Sequence, residues 1–245
     1  MSTTKKIALV TGATRGIGLE TVRQLAQSGT HVLLGGRDRA KAAAAAETLR
    51  KQGLDVDPLA LDVGDNASIA TAAAEIEAKY GHLDILVNNA GIMVDDVSKT
   101  PSQQPLANWR KTFDTNVFGL IAVTQAFLPL LRKAPAGRIV NVSSLLGSIT
   151  HHADPTSPIY DYKAPVSYNV SKSTVNAWTV QLAHELRDTS IKVNTIHPGH
   201  VKTDMGGDTA PMEIVDGAKT SVALALVGKD GPNGSFTHLG QALPW

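Results

Sequence analysis

Short apolar runs alternate along the chain with longer segments in which apolar residues recur every three to four positions. The runs have the length and the Val, Ile and Leu content of strands buried in a parallel sheet. They cover 5–10, 31–34, 56–61, 83–87, 138–142 and 191–196. The helical segments between them cover 17–28, 38–52, 66–80, 109–132 and 166–187. Strands that alternate with helices predict one α/β domain, 1–245, whose doubly wound parallel sheet carries helices on both faces.

A glycine-rich segment joins the first strand to the first helix. It reads Thr11-Gly12-Ala13-Thr14-Arg15-Gly16-Ile17-Gly18. Glycines let the backbone approach the phosphates of a dinucleotide, and the helix N-terminus offers free N–H groups and a positive dipole end. An ordinary strand-to-helix turn is the alternative. The flanking strand and helix favour the phosphate site, so we expect a single-domain Rossmann fold.

Tyr168 and Lys172 lie one helical turn apart in the predicted helix 166–187. Residues at i and i+4 share a helix face. A free tyrosine titrates near ~10, and a nearby lysine cation lowers that pKa. Such a phenol can exchange a proton near neutral pH. Surface helices also carry this pair by chance, so its meaning depends on the rest of the chain.

The two motifs together resemble the short-chain dehydrogenase/reductase family, whose glycine loop has the spacing Gly-x-x-x-Gly-x-Gly. Its other signatures follow in order as Asn88-Asn89-Ala90-Gly91, Asn116, Ser144 and Pro198-Gly199 with Thr203. The resemblance covers nearly the whole chain. It implies hydride transfer between a nicotinamide and a small carbonyl or alcohol substrate.

The resemblance also implies a role for each catalytic residue. Tyr168 donates a proton to the carbonyl oxygen, and Lys172 lowers the tyrosine pKa and binds the nicotinamide ribose. Ser144 hydrogen-bonds the carbonyl oxygen, and Asn116 holds a water that links Lys172 to solvent. Ser143 competes with Ser144 for its role, and the family pattern favours Ser144.

The end of the second predicted strand indicates which cofactor binds. NAD-specific relatives carry an acidic residue there, but Gly36 takes that place and Arg37 follows it. Arg37 and Arg15 suit a 2′-phosphate, because arginine binds phosphate through two parallel hydrogen bonds. The alternatives are two solvated arginines, and Asp38 reaching the ribose. We expect NADPH/NADP+. The expected cofactor-binding set is Gly12, Thr14, Arg15, Gly16, Ile17, Gly18, Arg37, Asp62, Val63, Asn89, Ala90, Gly91, Tyr168, Lys172, Pro198, Gly199, Val201 and Thr203.

Ser144 and Tyr168 are 24 positions apart, which is more than in many family members. The extra segment, 151–163, is rich in proline and polar residues and predicts an irregular loop that shapes the pocket. An insertion here resembles the carbonyl-reductase branch, as do the stretch 231–236 and Trp245. That branch includes monomers, because the segment covers a helix face used for oligomerisation in relatives. We expect a monomer, with a dimer or tetramer left open.

Further pocket residues are predicted from Met93 and its neighbours and from 145–162, and they include apolar groups. They suggest a hydrophobic carbonyl compound. The segment 202–212, rich in Gly, Asp and Thr, predicts a mobile lid.

Composition narrows the function classes. The formal net charge of +1 gives no electrostatic case for a nucleic-acid partner or an anionic membrane. No cysteine is present, which excludes disulfides and thiolate metal sites. Without a signal peptide before the first strand, and with the apolar stretch 120–131 too short to span a bilayer, we expect a soluble cytoplasmic protein.

His151, His152 and Asp154 could suggest a metal site. Adjacent histidines point apart, and no fourth ligand follows in the sequence, so we expect no metal. His197, before Pro198, is expected to be structural.

Three functions fit these motifs. The first is an NADPH-dependent reductase of ketones, aldehydes or quinones. The second is a catalytically silent NADP(H)-binding sensor, against which the complete set of Asn116, Ser144, Tyr168 and Lys172 argues. The third is an epimerase or dehydratase, for which the chain after Thr203 leaves little room.

Overall fold

In a computed structural model, residues 5–245 are described. The strands are β1 Ile7–Val10, β2 His31–Gly36, β3 Val56–Ala60, β4 Ile85–Asn88, β5 Arg138–Val142, β6 Lys192–Ile196, β7 Phe236–His238 and β8 Gln241–Ala242. The helices are α1 Gly16–Gln27, α2 Arg39–Arg50, α3 Asn66–Tyr80, α4 Leu106–Phe113, α5 Leu120–Leu131, α6 Ile149–Ala153, α7 Val166–Glu185 and α8 Ile214–Ala225. A π-helical turn, Asp114–Gly119, joins α4 to α5, and 3₁₀ turns lie at Pro101–Gln103 and Leu145–Gly147.

The strands form one sheet in the order β3-β2-β1-β4-β5-β6-β7-β8. Neighbours run parallel except for β7 and β8. This confirms the predicted α/β fold with a doubly wound sheet. The strand order changes direction between β1 and β4. In such sheets ligands bind outside the carboxyl ends of the strands at that point.

Two apolar clusters cover the two faces of the sheet. Leu86 packs on one face with Phe127, and Val87 packs on the other with Leu25. Leu86 and Val87 separate because successive side chains of a strand point to opposite faces. Central strands buried on both faces explain the continuous apolar runs in the sequence.

Most predicted segments agree with the structure. The strand 138–142 and the helix 66–80 have the predicted bounds, whereas the helix predicted at 109–132 begins at Leu106 and includes the π-helical turn. The helix α8 was not predicted, and β7 and β8, with three and two residues, are too short for periodicity to reveal.

The irregular loop predicted at 151–163 is wrong at its start, because 151–153 belong to α6. Ser148 begins this helix: its Oγ accepts a hydrogen bond from His151 N at 3.2 Å. A serine at this position stabilises a helix start, and it lies before the segment that the sequence marked as a loop.

Among residues 5–245, one helix, Leu106–Leu131, is long and apolar enough to cross a membrane by length and composition alone. It is longer than the apolar stretch seen in the sequence because α4, the π-helical turn and α5 are continuous. Half of its apolar window is buried in the fold. Core helices of soluble proteins pass the same test, so the feature is a weak indication of a membrane span.

Candidate active site

The glycine loop has the backbone that a phosphate site needs. Gly12 and Gly16 adopt φ values of 61° and 57°, a left-handed region that side chains disfavour. A Cβ at Gly18 would lie 2.7 Å from the Gly12 carbonyl oxygen, so the first turn of α1 packs on the loop only with glycine there. Thr14 and Ile17 lie in the same loop and turn. The N-terminus of α1 is therefore open to an anion.

Asn89 holds this loop in place. Its Nδ2 donates to the Thr11 and Gly12 carbonyl oxygens at 2.9 and 3.1 Å. Thr11 Oγ1 accepts from the main-chain N–H groups of Asn89 and Ala90, both at 3.0 Å. The Asn-Asn-Ala-Gly motif thus fixes the loop from the neighbouring strand end.

At the end of β2, any side chain at Gly36 would have to displace Thr14. A Cβ at Gly36 would lie 2.6 Å from Thr14 Cγ2. Asp38 caps α2, its Oδ1 accepting from Ala40 N and Lys41 N at 3.0 Å, so one of its carboxylate oxygens is engaged by the start of that helix. Arg37 is exposed, and within residues 5–245 its side chain makes no hydrogen bond.

The segment after β6 lies against the glycine loop. A Cβ at Gly16 would be 3.5 Å from Thr203 Cγ2, and the exposed Arg15 pairs with Asp204. This pair connects the glycine loop to the segment 202–212. Arg15 therefore already has a carboxylate partner that a 2′-phosphate would have to replace.

Three further predicted cofactor contacts are Asp62, Val63 and Val201. Asp62 and Val63 follow β3, and Asp62 Oδ1 accepts from Gly64 N at 3.0 Å. Val201 is buried and forms an isolated bridge with Met212, which closes the segment 202–212 into a loop. Their contacts with the adenine and the nicotinamide stay predictions.

The predicted catalytic residues come together at the carboxyl ends of β4 and β5. Tyr168 and Lys172 are 8% and 4% exposed on α7, and Lys172 Nζ lies 5.5 Å from the tyrosine ring centroid. Lys172 Nζ donates to the Val142 carbonyl oxygen at 2.8 Å. A Cβ at Gly91 would lie 3.4 Å from Lys172 Nζ and 3.5 Å from Asn116 Oδ1. The family motifs therefore meet around one small space.

Asn116 lies in the π-helical turn and is almost fully buried. Its Oδ1 accepts from Ile92 N at 2.8 Å, and its Nδ2 donates to the Ile92 carbonyl oxygen at 2.9 Å and to Ser171 Oγ at 3.0 Å. Asn116 thus holds the loop after β4 against α7, a function that the sequence did not reveal.

The two candidate serines have different surroundings. Ser143 is buried, and its Oγ donates to the Lys172 carbonyl oxygen at 3.2 Å. Ser144 Oγ accepts from Leu146 N at 3.2 Å, which leaves its own proton free to donate. This difference supports the choice of Ser144. A Cβ at Gly147 would lie 2.8 Å from the Lys172 backbone carbon, so only glycine lets this turn pack on α7.

The expected lowering of the tyrosine pKa is wrong for this structure. Burial raises the pKa of Tyr168 to about 12, and the Ser144 hydroxyl offsets this only in part. Burial also lowers the pKa of Lys172 to about 8. Low dielectric disfavours phenolate and ammonium alike, and the ammonium is directed at the Val142 carbonyl. At neutral pH the tyrosine is therefore a protonated phenol.

His197 links two loops of the site. Its Nδ1 accepts from Leu145 N at 3.0 Å and from Gly199 N at 3.3 Å. Burial, helped by neighbouring histidines, lowers the pKa of His197 to about 3, so the ring is neutral and can accept. The turn after Ser144 is thus tied to the Pro198–Gly199 loop, which agrees with the structural place expected for His197.

The insertion holds its histidines apart. His151 Nδ1 lies 3.1 Å from Ser157 Oγ, whereas His152 Nε2 lies 3.0 Å from the Leu146 carbonyl oxygen. Lys163 Nζ donates to the His152 carbonyl oxygen at 2.8 Å. In the described part of the chain, no three His, Cys, Asp or Glu side chains are placed to hold a metal ion.

Known proteins are similar to this chain in sequence and in fold. A family model described as short chain dehydrogenase matches residues 6–214. Carbonyl reductase (NADPH) 1 from Bos taurus is 34% identical over 283 residues and covers 100% of both chains. (-)-Isopiperitenone reductase from Mentha piperita is 33% identical over 314 residues and covers 99% of both. The crystal structure of NADPH-bound carbonyl reductase from chicken fatty liver has a TM-score of 0.85 and 30% identity, covering 98% of this chain and 94% of that one. These matches confirm the resemblance, and the chain belongs to the short-chain dehydrogenase/reductase family, on its carbonyl-reductase-like branch.

Proposed function

We propose that the protein is an NADPH-dependent carbonyl reductase, which reduces a ketone, aldehyde or quinone to an alcohol with Tyr168 as proton donor. The observation that carries this proposal is the meeting of Tyr168, Lys172, Ser144 and Asn116 beside the glycine loop. The bovine and chicken relatives are carbonyl reductases by name.

The residues around the cleft fit NADPH. The glycine loop and the N-terminus of α1 would hold the pyrophosphate. The Cβ clash at Gly36 disfavours the acid that would select NADH, and Asp38 is engaged as a helix cap. Arg37 is exposed beside this position and would bind the 2′-phosphate.

Reduction of a carbonyl moves an electron pair onto oxygen, which then takes up a proton. When bound, the nicotinamide supplies the hydride. Burial holds the pKa of Tyr168 at about 12, so the phenol keeps its proton at neutral pH and can donate it. Lys172, with a pKa of about 8, is still mostly protonated at pH 7 and would stabilise the phenolate. The Ser144 hydroxyl would hydrogen-bond the substrate oxygen.

The proton that Tyr168 gives up must return from solvent. Lys172, whose Nζ lies 5.5 Å from the tyrosine ring centroid, would relay it, and the family resemblance places a water beside Asn116 on this route. The hydrogen bonds of Asn116 to Ile92 keep that wall of the site rigid.

The substrate class follows from the walls of the site. Leu145 and Leu146 directly follow Ser144, Met93 follows the Asn-Asn-Ala-Gly motif, and all three are partly buried. Apolar walls with a few polar groups at one end favour an apolar carbonyl compound. The insertion and the segment 202–212 would complete the pocket, the latter as a lid.

We propose further that the protein acts as a soluble cytoplasmic monomer. The insertion lies against α7, where Asn169 Nδ2 donates to the Tyr162 carbonyl oxygen at 3.3 Å, and so covers part of that helix. Light scattering coupled to gel filtration should give one chain per particle. A dimer or tetramer would contradict the proposal.

The first test is a titration of the purified protein with NADPH and with NADH, followed by absorbance at 340 nm with a panel of apolar ketones, aldehydes and quinones. We expect tighter binding of NADPH and its oxidation by at least one compound. Tight NADPH binding without turnover on a broad panel would favour the silent sensor. A preference for NADH would overturn the assignment of Arg37.

A further inference from the structure

The start of α7 lacks a cap of its own. The first turn of a helix leaves backbone N–H groups without partners inside the helix. The residue before the helix, Pro165, makes no side-chain hydrogen bond to it. Tyr168 lies in this first turn, so its position depends on how the helix start is held.

Asp95, in the loop after β4, supplies the missing cap. Its Oδ1 accepts from Ser167 N at 2.8 Å, and its Oδ2 accepts from Tyr168 N at 3.1 Å and from Ser167 Oγ at 2.8 Å. Ser167 is fully buried, and its Oγ also lies 3.0 Å from Thr112 Oγ1. A carboxylate here completes the hydrogen bonds and complements the positive end of the helix dipole.

The loop that carries Asp95 is held at both ends. Asn116 binds the main chain of Ile92 through two hydrogen bonds, and Asp95 binds α7 a few residues later. Asn116 also reaches α7 through Ser171. The loop therefore connects the π-helical turn to α7, the helix that carries Tyr168 and Lys172.

We propose that Asp95 is a positioning residue for Tyr168: its carboxylate fixes the first turn of α7 and thereby places the phenol for proton donation. This inference rests on the proposed reductase function. Asp95 acts through the helix backbone, and its charge and both oxygens are used in that contact. Errors of about 1 Å in the placement of a reacting group can lower rates about a hundredfold.

The test compares Asp95→Ala, Asp95→Asn and the control Asp65→Ala. Asp65 also caps a helix: it directly precedes α3, and its side chain accepts one hydrogen bond from Ala67 N at 2.9 Å, but α3 carries no catalytic group. We would measure kcat per NADPH-binding site, KM, the NADPH Kd and the thermal midpoint for each variant.

We expect Asp95→Ala to lower kcat about ten- to a hundredfold, while the NADPH Kd changes less than about threefold. Asp95→Asn keeps one acceptor oxygen, so its kcat should lie between those of Asp95→Ala and wild type. Asp65→Ala also removes a helix cap, so it should lower the thermal midpoint, but it should keep kcat within about twofold. A kcat for Asp95→Ala within twofold of wild type, or an equal loss of kcat in Asp65→Ala, would overturn the inference.

A second measurement does not depend on turnover. Amide hydrogen exchange followed by NMR should be about tenfold or more faster at Ser167 and Tyr168 in Asp95→Ala than in wild type, because both N–H groups lose their acceptor. Unchanged exchange at both amides would overturn the role of Asp95 even in a protein that reduces carbonyls. If wild type oxidises no NADPH but amide exchange in Asp95→Ala is faster as expected, the proposed function is wrong and the capping role of Asp95 is confirmed.

Discussion

Replacing Lys172 with methionine tests the free-energy cost of the buried ammonium. Lys172 is 4% exposed, and burial lowers its pKa from 10.5 to about 8. At about 1.4 kcal/mol for each pH unit, this difference penalises folding at pH 7 by about 3 kcal/mol. Loss of the hydrogen bond to the Val142 carbonyl costs about 1–2 kcal/mol. Methionine is apolar and flexible, so Lys172→Met should be about 1–2 kcal/mol more stable at pH 7, and inactive.

The difference in stability between Lys172→Met and wild type should decrease as pH rises. The unfolded lysine holds its proton up to pH 10.5, whereas the folded one loses it near pH 8. Between these values the unfolded state binds more protons, so wild-type stability increases with pH. The raised pKa of Tyr168, about 12 against an ordinary value of 10.0, lowers stability only above pH 10. Measurements from about pH 7 to about 9.5 therefore report on Lys172.

Urea unfolding of the cofactor-free protein, followed by tryptophan fluorescence, measures the effect at pH 7, 8.5 and 9.5. Lys111→Met is the control, because Lys111 is an exposed lysine on α4. Its stability relative to wild type should not change across this range. The reasoning is refuted if Lys172→Met is less stable than wild type at pH 7, or if the difference between them is independent of pH.

Four further substitutions test the cofactor site and the segment after β5 that carries Ser143 and Ser144. In fluorescence titrations, Arg37→Ala should weaken the binding of NADPH about tenfold and leave the binding of NADH unchanged, because only NADPH carries a 2′-phosphate. The control is Lys41→Ala, which removes an exposed cation on α2. Equal weakening of the binding of both cofactors by Arg37→Ala would exclude the contact. Ser144→Ala should lower kcat about a hundredfold. Ser143→Ala should mainly lower the free energy of unfolding, by about 1 kcal/mol, because Ser143 Oγ donates to a main-chain carbonyl of α7. If Ser143→Ala lowers kcat more than Ser144→Ala does, the two serines exchange roles. Gly147→Ala should lower the free energy of unfolding by about 1–3 kcal/mol, because its Cβ would lie 2.8 Å from backbone of α7; an unchanged thermal midpoint would contradict that packing.

Local patterns predicted the fold well. Buried parallel strands are continuous apolar runs and their covering helices repeat every 3.6 residues, so Arg138–Val142 and Asn66–Tyr80 were predicted to the residue. The pairing of Tyr168 with Lys172 follows from helix geometry alone. The direction in which the pKa of Tyr168 shifts does not follow from helix geometry. It depends on burial, which the spacing of residues along a helix does not reveal.

Hydrogen bonds between distant segments could not be predicted. Asp95 and Ser167 are 72 positions apart, and only the folded chain brings the carboxylate to the start of α7. Asp38 was considered for the ribose, whereas in the structure it caps α2, the helix that the sequence predicted to begin at this residue. The short helix α6 depends on Ser148, which lies outside the segment whose composition predicted a loop.

The most direct test of the central claim compares wild type with Tyr168→Phe at saturating NADPH, using the best carbonyl substrate from the panel. Phenylalanine keeps the ring and removes the hydroxyl group that is proposed to donate the proton. The account predicts a kcat lower by about 10²- to 10⁴-fold, with an NADPH Kd within about threefold of wild type. If turnover stays within a few-fold of wild type while NADPH still binds, Tyr168 is not the proton donor.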